Sequence, residues 1–243
     1  MWTRELLKNN AKEIFKRNYW PCVGVALVLG VLTGGTGTIA GRIGGGNSGV
    51  SYHHYGSDYY YGDSYGGFVV SLFVAVVVLI VVLAAIAFTV FAANVFKVGG
   101  CSFFIKNRTM TGTFGNILDG FKSGHYGNVV LTMFFYDLYI ALWSLLFVIP
   151  GIIKSYEYRM VPYILAENPA MDRKQVFEIS KRMMDGQKMD TFILDLSFIG
   201  WGLLAGITCG IAGVFYVTPY IYATNTELYA FNKVQAYNEG YIR

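Results

Sequence analysis

Charge is scarce in this sequence: Asp, Glu, Lys and Arg make up 14% of its 243 residues, against about 25% in ordinary soluble domains. That shortage argues against a water-soluble helical bundle, whose helices need polar outer faces. Cysteine is rare too, with three widely spaced residues, Cys22, Cys101 and Cys209. Their odd number and the lack of any CxxC spacing leave neither a disulfide framework nor a zinc site, so they read as small packing residues. Of the three histidines, none falls inside an apolar stretch where a membrane hydrolase would need one. No GxSxG, HExxH or Walker loop occurs, and the glycine-rich residues 41–49 lack the lysine and following helix of a phosphate cradle. Neither enzymatic activity nor a cofactor is expected.

What the chain has is apolar length. Its hydrophobic share is 54% and its mean hydropathy +0.44, and several stretches are apolar all round over distances that suit a bilayer. Residues 19–41 form the first, with Tyr19 and Trp20 at its start, where interfacial aromatics belong. Residues 68–96 form the second, without a single charge. Residues 126–149 follow, carrying Asp137, then a bend at Pro150 and Gly151, where proline removes a helix hydrogen bond and glycine permits a turn. The spacing predicts a hairpin over 126–166, its return arm short and polar. Residues 191–212 and 214–231 supply two more runs, the last broken by Pro219. The fold class expected is all-α, a polytopic membrane bundle of about six embedded helices.

Two amphipathic helices accompany them. Residues 1–18 place Trp2, Leu6, Ala11, Ile14 and Phe15 on one side and five cations on the others, which suits an interfacial helix on an anionic membrane; a helix packed on the bundle's own loops would show the same pattern. Residues 172–186 open with Asp172 and Gln175 in a capping-box spacing and close at Gly186. Val176, Ile179 and Met183 make their apolar stripe, and Glu178 and Arg182 are spaced for an ion pair. The remaining chain, 19–243, reads as one helical membrane domain. Residues 42–67 form a glycine- and tyrosine-rich outer loop, in which His53 and His54 stand near Asp58 and Asp63. Adjacent histidines point apart in an extended chain, so no metal is expected there. Residues 97–125 are expected to return to water.

The net charge of +4 does not form a patch for nucleic acid. With the N-terminus inside, all of the nineteen Lys and Arg residues except Arg42, Lys154 and Arg159 fall on one side. The positive-inside rule then places both termini in the cytoplasm. No cleavable signal is evident, so the first run should stay in the membrane.

Charge inside a membrane costs about 2.5–3.5 kcal/mol per residue at a helix centre, so Asp137, Glu157, Arg159 and Glu227 need partners or a purpose. In a hairpin turning at Pro150, Arg159 is expected to reach Asp137; a proton or ion pathway is the alternative use. Gly202, Gly206 and Gly210 share a face and are expected to form a smooth seam for a partner helix.

Several stretches resemble a family of bacterial integral membrane proteins grouped as domain of unknown function 975. They are the Ile149-Pro150-Gly151-Ile152 bend, residues 158–169 (YRMVPYILAENP), 180–188 (SKRMMDGQK) and 192–201 (FILDLSFIGW), with Pro219 and Tyr220. The opening MWTRELLKNNAKEIFKRNYW is similar as well; the tyrosine loop is not. The resemblance implies a multi-pass protein of a bacterial cytoplasmic membrane and carries no activity. More distantly, the proline bend, basic helix and following span are similar to membrane domains attached to some glycerophosphodiester phosphodiesterases, a likeness of architecture alone. The functional expectation is a non-enzymatic scaffold or accessory protein, its partners the lipid bilayer and either other membrane proteins or further copies of itself. The alternative is a small transporter or channel built on buried charges in a proline-broken hairpin.

Overall fold

The computed structural model describes residues 2–32, 64–208 and 210–242, and within them the chain is all-helical. The glycine-rich end of the first run, most of the tyrosine loop with His53, His54, Asp58 and Asp63, and Cys209 lie outside the described residues.

Helix α1, Arg4–Arg17, starts at Thr3, whose hydroxyl accepts from the Leu6 amide. Its Leu7, Ala11 and Phe15 are buried against the last helix, α12, Thr218–Asn238. Of the apolar face expected on a membrane surface, Trp2, Ala11 and Phe15 are turned onto protein, while Leu6 is exposed and Ile14 half-buried. Helix α2, Tyr19–Leu32, packs antiparallel to α4, Asn94–Asn107: Asn18 donates to Asn107 at 2.5 Å, and Leu29 closes on Gly100. Cys22 and Cys101 are buried and free, as packing residues should be.

The second run is longer than expected. Helix α3, Ser64–Phe88, passes through a π-helical turn, Thr89–Ala93, directly into α4. Residues 97–107, expected in water, belong to α4, and Val98, Cys101, Phe103 and Phe104 are buried. Glycine explains the difference. A Cβ on Gly99 would lie 2.0 Å from the Ile117 carbonyl oxygen, and one on Gly120 would lie 2.7 Å from that of Val95. Bare backbone therefore lets the 3-10 turn Phe114–Leu118 and helix α5, Asp119–Lys122, lie along α4 and cover it. The polar residues that had suggested a loop face outward, Lys106 pairing with Asp119 at 2.7 Å. In α3, by contrast, every side chain from Val69 to Phe88 is exposed.

Helix α6, Tyr126–Leu146, and helix α7, Val148–Glu157, form the expected hairpin, but the bend sits at Phe147, whose backbone is extended. Pro150 lies in the first turn of α7, where a missing N–H costs nothing. Gly151 makes no turn either: a Cβ there would stand 2.4 Å from Ser144 Oγ, so this glycine lets the two arms touch.

Helix α8, Val161–Glu167, is short and buried on α4. Helix α9, Arg173–Met183, is capped by Asp172, which accepts from the Lys174 amide at 3.0 Å. Gly186, at φ 71°, ends the segment. The expected fifth run is two helices, α10, Lys188–Leu196, and α11, Ile199–Ile207, interrupted at Ser197 and Phe198. The chain turns again at Gly210, at φ 87°, before a π-helical turn, Gly213–Val217, leads into α12. Two glycines of the expected seam, Gly206 and Gly210, are exposed among the described residues, and a Cβ on either would meet nothing within 4 Å. Ala205 of α11 lies beside Gly213, where an added Cβ would stand 3.3 Å from the alanine Cβ. Pro219 sits in the first turn of α12 and does not break it.

Among the described residues three helical stretches are long and apolar enough to cross a membrane, Val69–Asn107, Tyr126–Leu146 and Lys188–Ile207. Helix α12, expected to be the sixth span, lies at the centre of the body with Thr224, Thr226, Glu227 and Asn232 all buried.

Candidate functional site

Two helix interruptions meet inside the body. The first separates α7 from α8 at residues 158–160, and helix ends there leave backbone groups without intrahelical partners. Ser180 of α9 serves both sides: its hydroxyl donates to the Glu157 carbonyl at 2.9 Å and accepts from the Met160 amide at 3.3 Å. Arg159 stands in the gap and points inward. Its guanidinium holds Asp195 through two bonds, Nη1 to Oδ2 at 2.6 Å and Nη2 to Oδ1 at 2.7 Å, and Nη2 also donates to Asn225 Oδ1 at 2.8 Å. Tyr156 adds a hydroxyl to Asp195 Oδ2 at 2.9 Å and lays its ring beside the guanidinium. The pair is nearly dry, with side chains 18% and 6% exposed. Two parallel, charge-assisted bonds fix its orientation as well as its energy.

Asp195 lies in the last turn of α10, just before the second interruption. There Lys8 reaches across from α1, its ammonium 3.4 Å from the Ser197 carbonyl and 4.3 Å from the centre of the Phe198 ring. A cation at a helix C-terminus meets the negative end of the dipole. Burial, with Arg4 nearby, holds the Lys8 pKa below its ordinary value.

The expected partnership of Arg159 with Asp137 does not occur. Because α7 ends at Glu157, Arg159 is no longer on the hairpin arm. Asp137 faces α4 instead and accepts from Asn94 Nδ2 at 2.6 Å. The other singled-out carboxylates have their own partners. Glu157 is 3% exposed, between Lys154 at 2.9 Å and Lys188 at 3.2 Å. Burial alone would raise its pKa, but the two ammonium groups hold it below the usual carboxylate range. Glu227, buried as expected for an interior helix, takes Arg108 Nε at 2.6 Å. These four residues are thus spread over separate pairs and make no common centre.

Asp195, Ser180 and Lys8 had not been singled out. For Asp195 a signal existed, since no other charged residue falls in 191–212. Ser180 and Lys8 act through a backbone interruption that periodicity does not reveal.

Chemically, these arrangements hold charge in place. Each of these carboxylates accepts from a cation or amide, and no two share a proton. Among the described residues no group of three or more His, Cys, Asp and Glu could hold a metal ion. Cavities open elsewhere. One of about 320 Å³ is lined by Asn10, Glu13, Arg17, Arg108 and Glu227. Another, of about 460 Å³, is lined by Trp2, Asp185, Gln187, Asp190, Phe231 and Gln235. Neither is lined by Asp137, Glu157, Arg159 or Asp195.

A family described as "Protein of unknown function (DUF975)" matches residues 65–233, well over half of the chain, and the match does not reach the N-terminal opening. No curated protein and no solved structure matches the chain.

Proposed function

The chain belongs to the DUF975 family of proteins of unknown function, and from that premise we propose that it is an integral, multi-pass protein of a bacterial cytoplasmic membrane, both termini cytoplasmic, acting as a non-enzymatic scaffold or accessory protein. The observation that carries the reading is helix α3. Its Val69–Leu83 stretch is apolar apart from Ser71, and its side chains are exposed on all faces. In water such a helix would leave the largest apolar surface of the protein unburied, whereas hydrocarbon covers it at no cost. The paired, enclosed charges of the body support a structural role for Asp137, Glu157, Arg159 and Glu227.

One observation favours the transporter alternative: two interrupted helices meet at a buried ion pair, and broken helices recur at translocation sites. The Arg159–Asp195 pair, with each carboxylate oxygen already accepting a hydrogen bond and with the two cavities opening elsewhere, weighs against it.

Expression in a bacterial host followed by carbonate washing of the membranes tests the membrane reading; release of the protein into the wash sinks it. Impermeant maleimide on single cysteines at both ends of the chain tests the orientation, which requires both ends to be protected in intact cells. Steady solute flux through reconstituted vesicles that stops in Asp195→Asn would replace the scaffold reading with the transporter.

A further inference from the structure

We infer that helix α6, Tyr126–Leu146, lies along the membrane surface and does not cross it, its partner being the boundary between headgroups and acyl chains. The inference rests on the membrane reading above and deepens it. Both α6 and the long helix that contains α3 are long and apolar enough to span, but α6 is much the less apolar of the two. Tyr126 at the start of α6 donates its hydroxyl to the Phe91 carbonyl at 2.7 Å. Asp137, three turns further along, accepts from Asn94 at 2.6 Å. Between these contacts α6 advances ~16 Å while the long helix advances only ~4.5 Å, at 1.5 Å per residue. Helix α6 therefore meets the long helix at its π-helical turn and the start of α4, and does not pack alongside α3. A helix of 21 residues is ~32 Å long and spans a ~30 Å hydrocarbon core only if it stands near the membrane normal.

Composition separates the two helices. Along α3 from Val69 to Phe88 the only polar side chain is Ser71. Along α6, polar partners recur from end to end. Asn128 donates to the carbonyls of Pro169 and Met171, both at 2.8 Å. The Arg173 guanidinium sits 4.1 Å over the Phe135 ring, Asp137 holds Asn94, and the Lys154 ammonium lies 5.6 Å over the Trp143 ring. A spanning helix confines such groups to its ends, whereas a helix at headgroup depth meets them along its whole length. The lateral faces fit as well. In the first half of the helix Val129, Met133 and Tyr136 are buried on the protein side and Leu131 and Phe134 are exposed on the opposite face. Leu142 and Leu145 continue this stripe into the last turns, where residues 141–146 are exposed on every face; the stripe would dip into the acyl boundary.

The test measures depth. On a chain with Cys22, Cys101 and Cys209 replaced by alanine, single nitroxide labels are placed at residues 131, 134, 142 and 145 of α6 and at 73, 77, 81 and 85 of α3. The full-length protein is reconstituted in phosphatidylcholine vesicles with a minority of phosphatidylglycerol. The depth of each label follows from its collision rates with oxygen and with a water-soluble nickel complex. The expected result is one shallow, near-constant depth along α6 and a profile through the bilayer centre along α3. A profile that deepens and then shallows along α6 overturns the inference while leaving the membrane reading intact. Water-like values along α3 overturn both. A second measurement does not depend on labels within the stripe: Gly127→Cys, where a side chain meets nothing within 4 Å, and Leu146→Cys should react with an impermeant maleimide from the same side of sealed vesicles. Reaction from opposite sides means that α6 crosses.

Discussion

Arg159 grips Asp195 with two parallel bonds and so ties the gap between α7 and α8 to the end of α10. Breaking a buried pair by removing one partner leaves an uncompensated charge, which costs about 3–5 kcal/mol. Arg159→Gln and Asp195→Asn should each lower thermal stability in detergent strongly, and the double variant should lose much less than the sum. Asp137→Asn should combine additively with Arg159→Gln, because the two residues share no contact. Coupling between 137 and 159 as large as that between 195 and 159 would contradict the pairing.

Ser180 spans the same gap through its hydroxyl. In Ser180→Ala both the Glu157 carbonyl and the Met160 amide lose their side-chain partner in the interior, at a cost of about 1–3 kcal/mol. Ser180→Thr keeps the hydroxyl and should retain more stability than alanine. A melting temperature for Ser180→Ala equal to that of the parent would show that the interruption needs no cap.

Close approach of backbones makes a different demand on glycine. Gly99→Ala places a carbon 2.0 Å from the Ile117 carbonyl oxygen, and overpacking of this kind costs about 1–3 kcal/mol. Gly206→Ala meets open space in a helix, where exchanging glycine for alanine gains about 0.5–1 kcal/mol. The two substitutions should therefore move the melting temperature in opposite directions. A loss at Gly206 equal to that at Gly99 would mean that another chain packs on the α11 face.

Much of this was legible in the sequence, and the parts that were not share a cause. Apolar length and helical spacing placed α6 and α9 within a few residues and the start of α3 likewise, because solvent preference is written into each side chain. The covering of α4 by residues 112–122 was hidden because its polar side chains mimic a loop, and what brings them close is the absence of side chains at Gly99 and Gly120. The hairpin bend was legible only to within a turn: Pro150 marks where a helix can start as readily as where one ends. The partner of Arg159 was misread for the same reason, since ending α7 at Glu157 swings the next side chains off the hairpin. Glu227 was legible as an interior residue; its partner, Arg108, lies too far along the chain for spacing to reveal.

Protonation should weaken the body from the side of Glu157. Lys154 and Lys188 hold this carboxyl below its ordinary value of 4.5, so its stabilising contribution is complete above that pH and is lost as the pH falls through the lower folded value. The stability difference between the parent and Glu157→Gln should be constant near neutrality and shrink on acidification below about pH 4.5. A difference that grows toward acid would mean that the carboxyl is held protonated, contrary to the two lysines beside it.

The exposed helix α3 yields the sharpest test of what surrounds it. If lipid covers α3, an arginine costs about 2.5–3.5 kcal/mol near the helix centre whichever way it points. If a second protein covers one face, the cost rises and falls every three to four residues, because only that face is packed. Val77→Arg, Val78→Arg, Leu79→Arg and Ile80→Arg sample successive faces, all exposed in the isolated chain. Membrane insertion, scored by carbonate resistance of the expressed protein, should fall to a similar degree in all four. Two tolerant positions beside two intolerant ones would assign α3 to a helix–helix interface, and four tolerant positions would remove it from the membrane altogether.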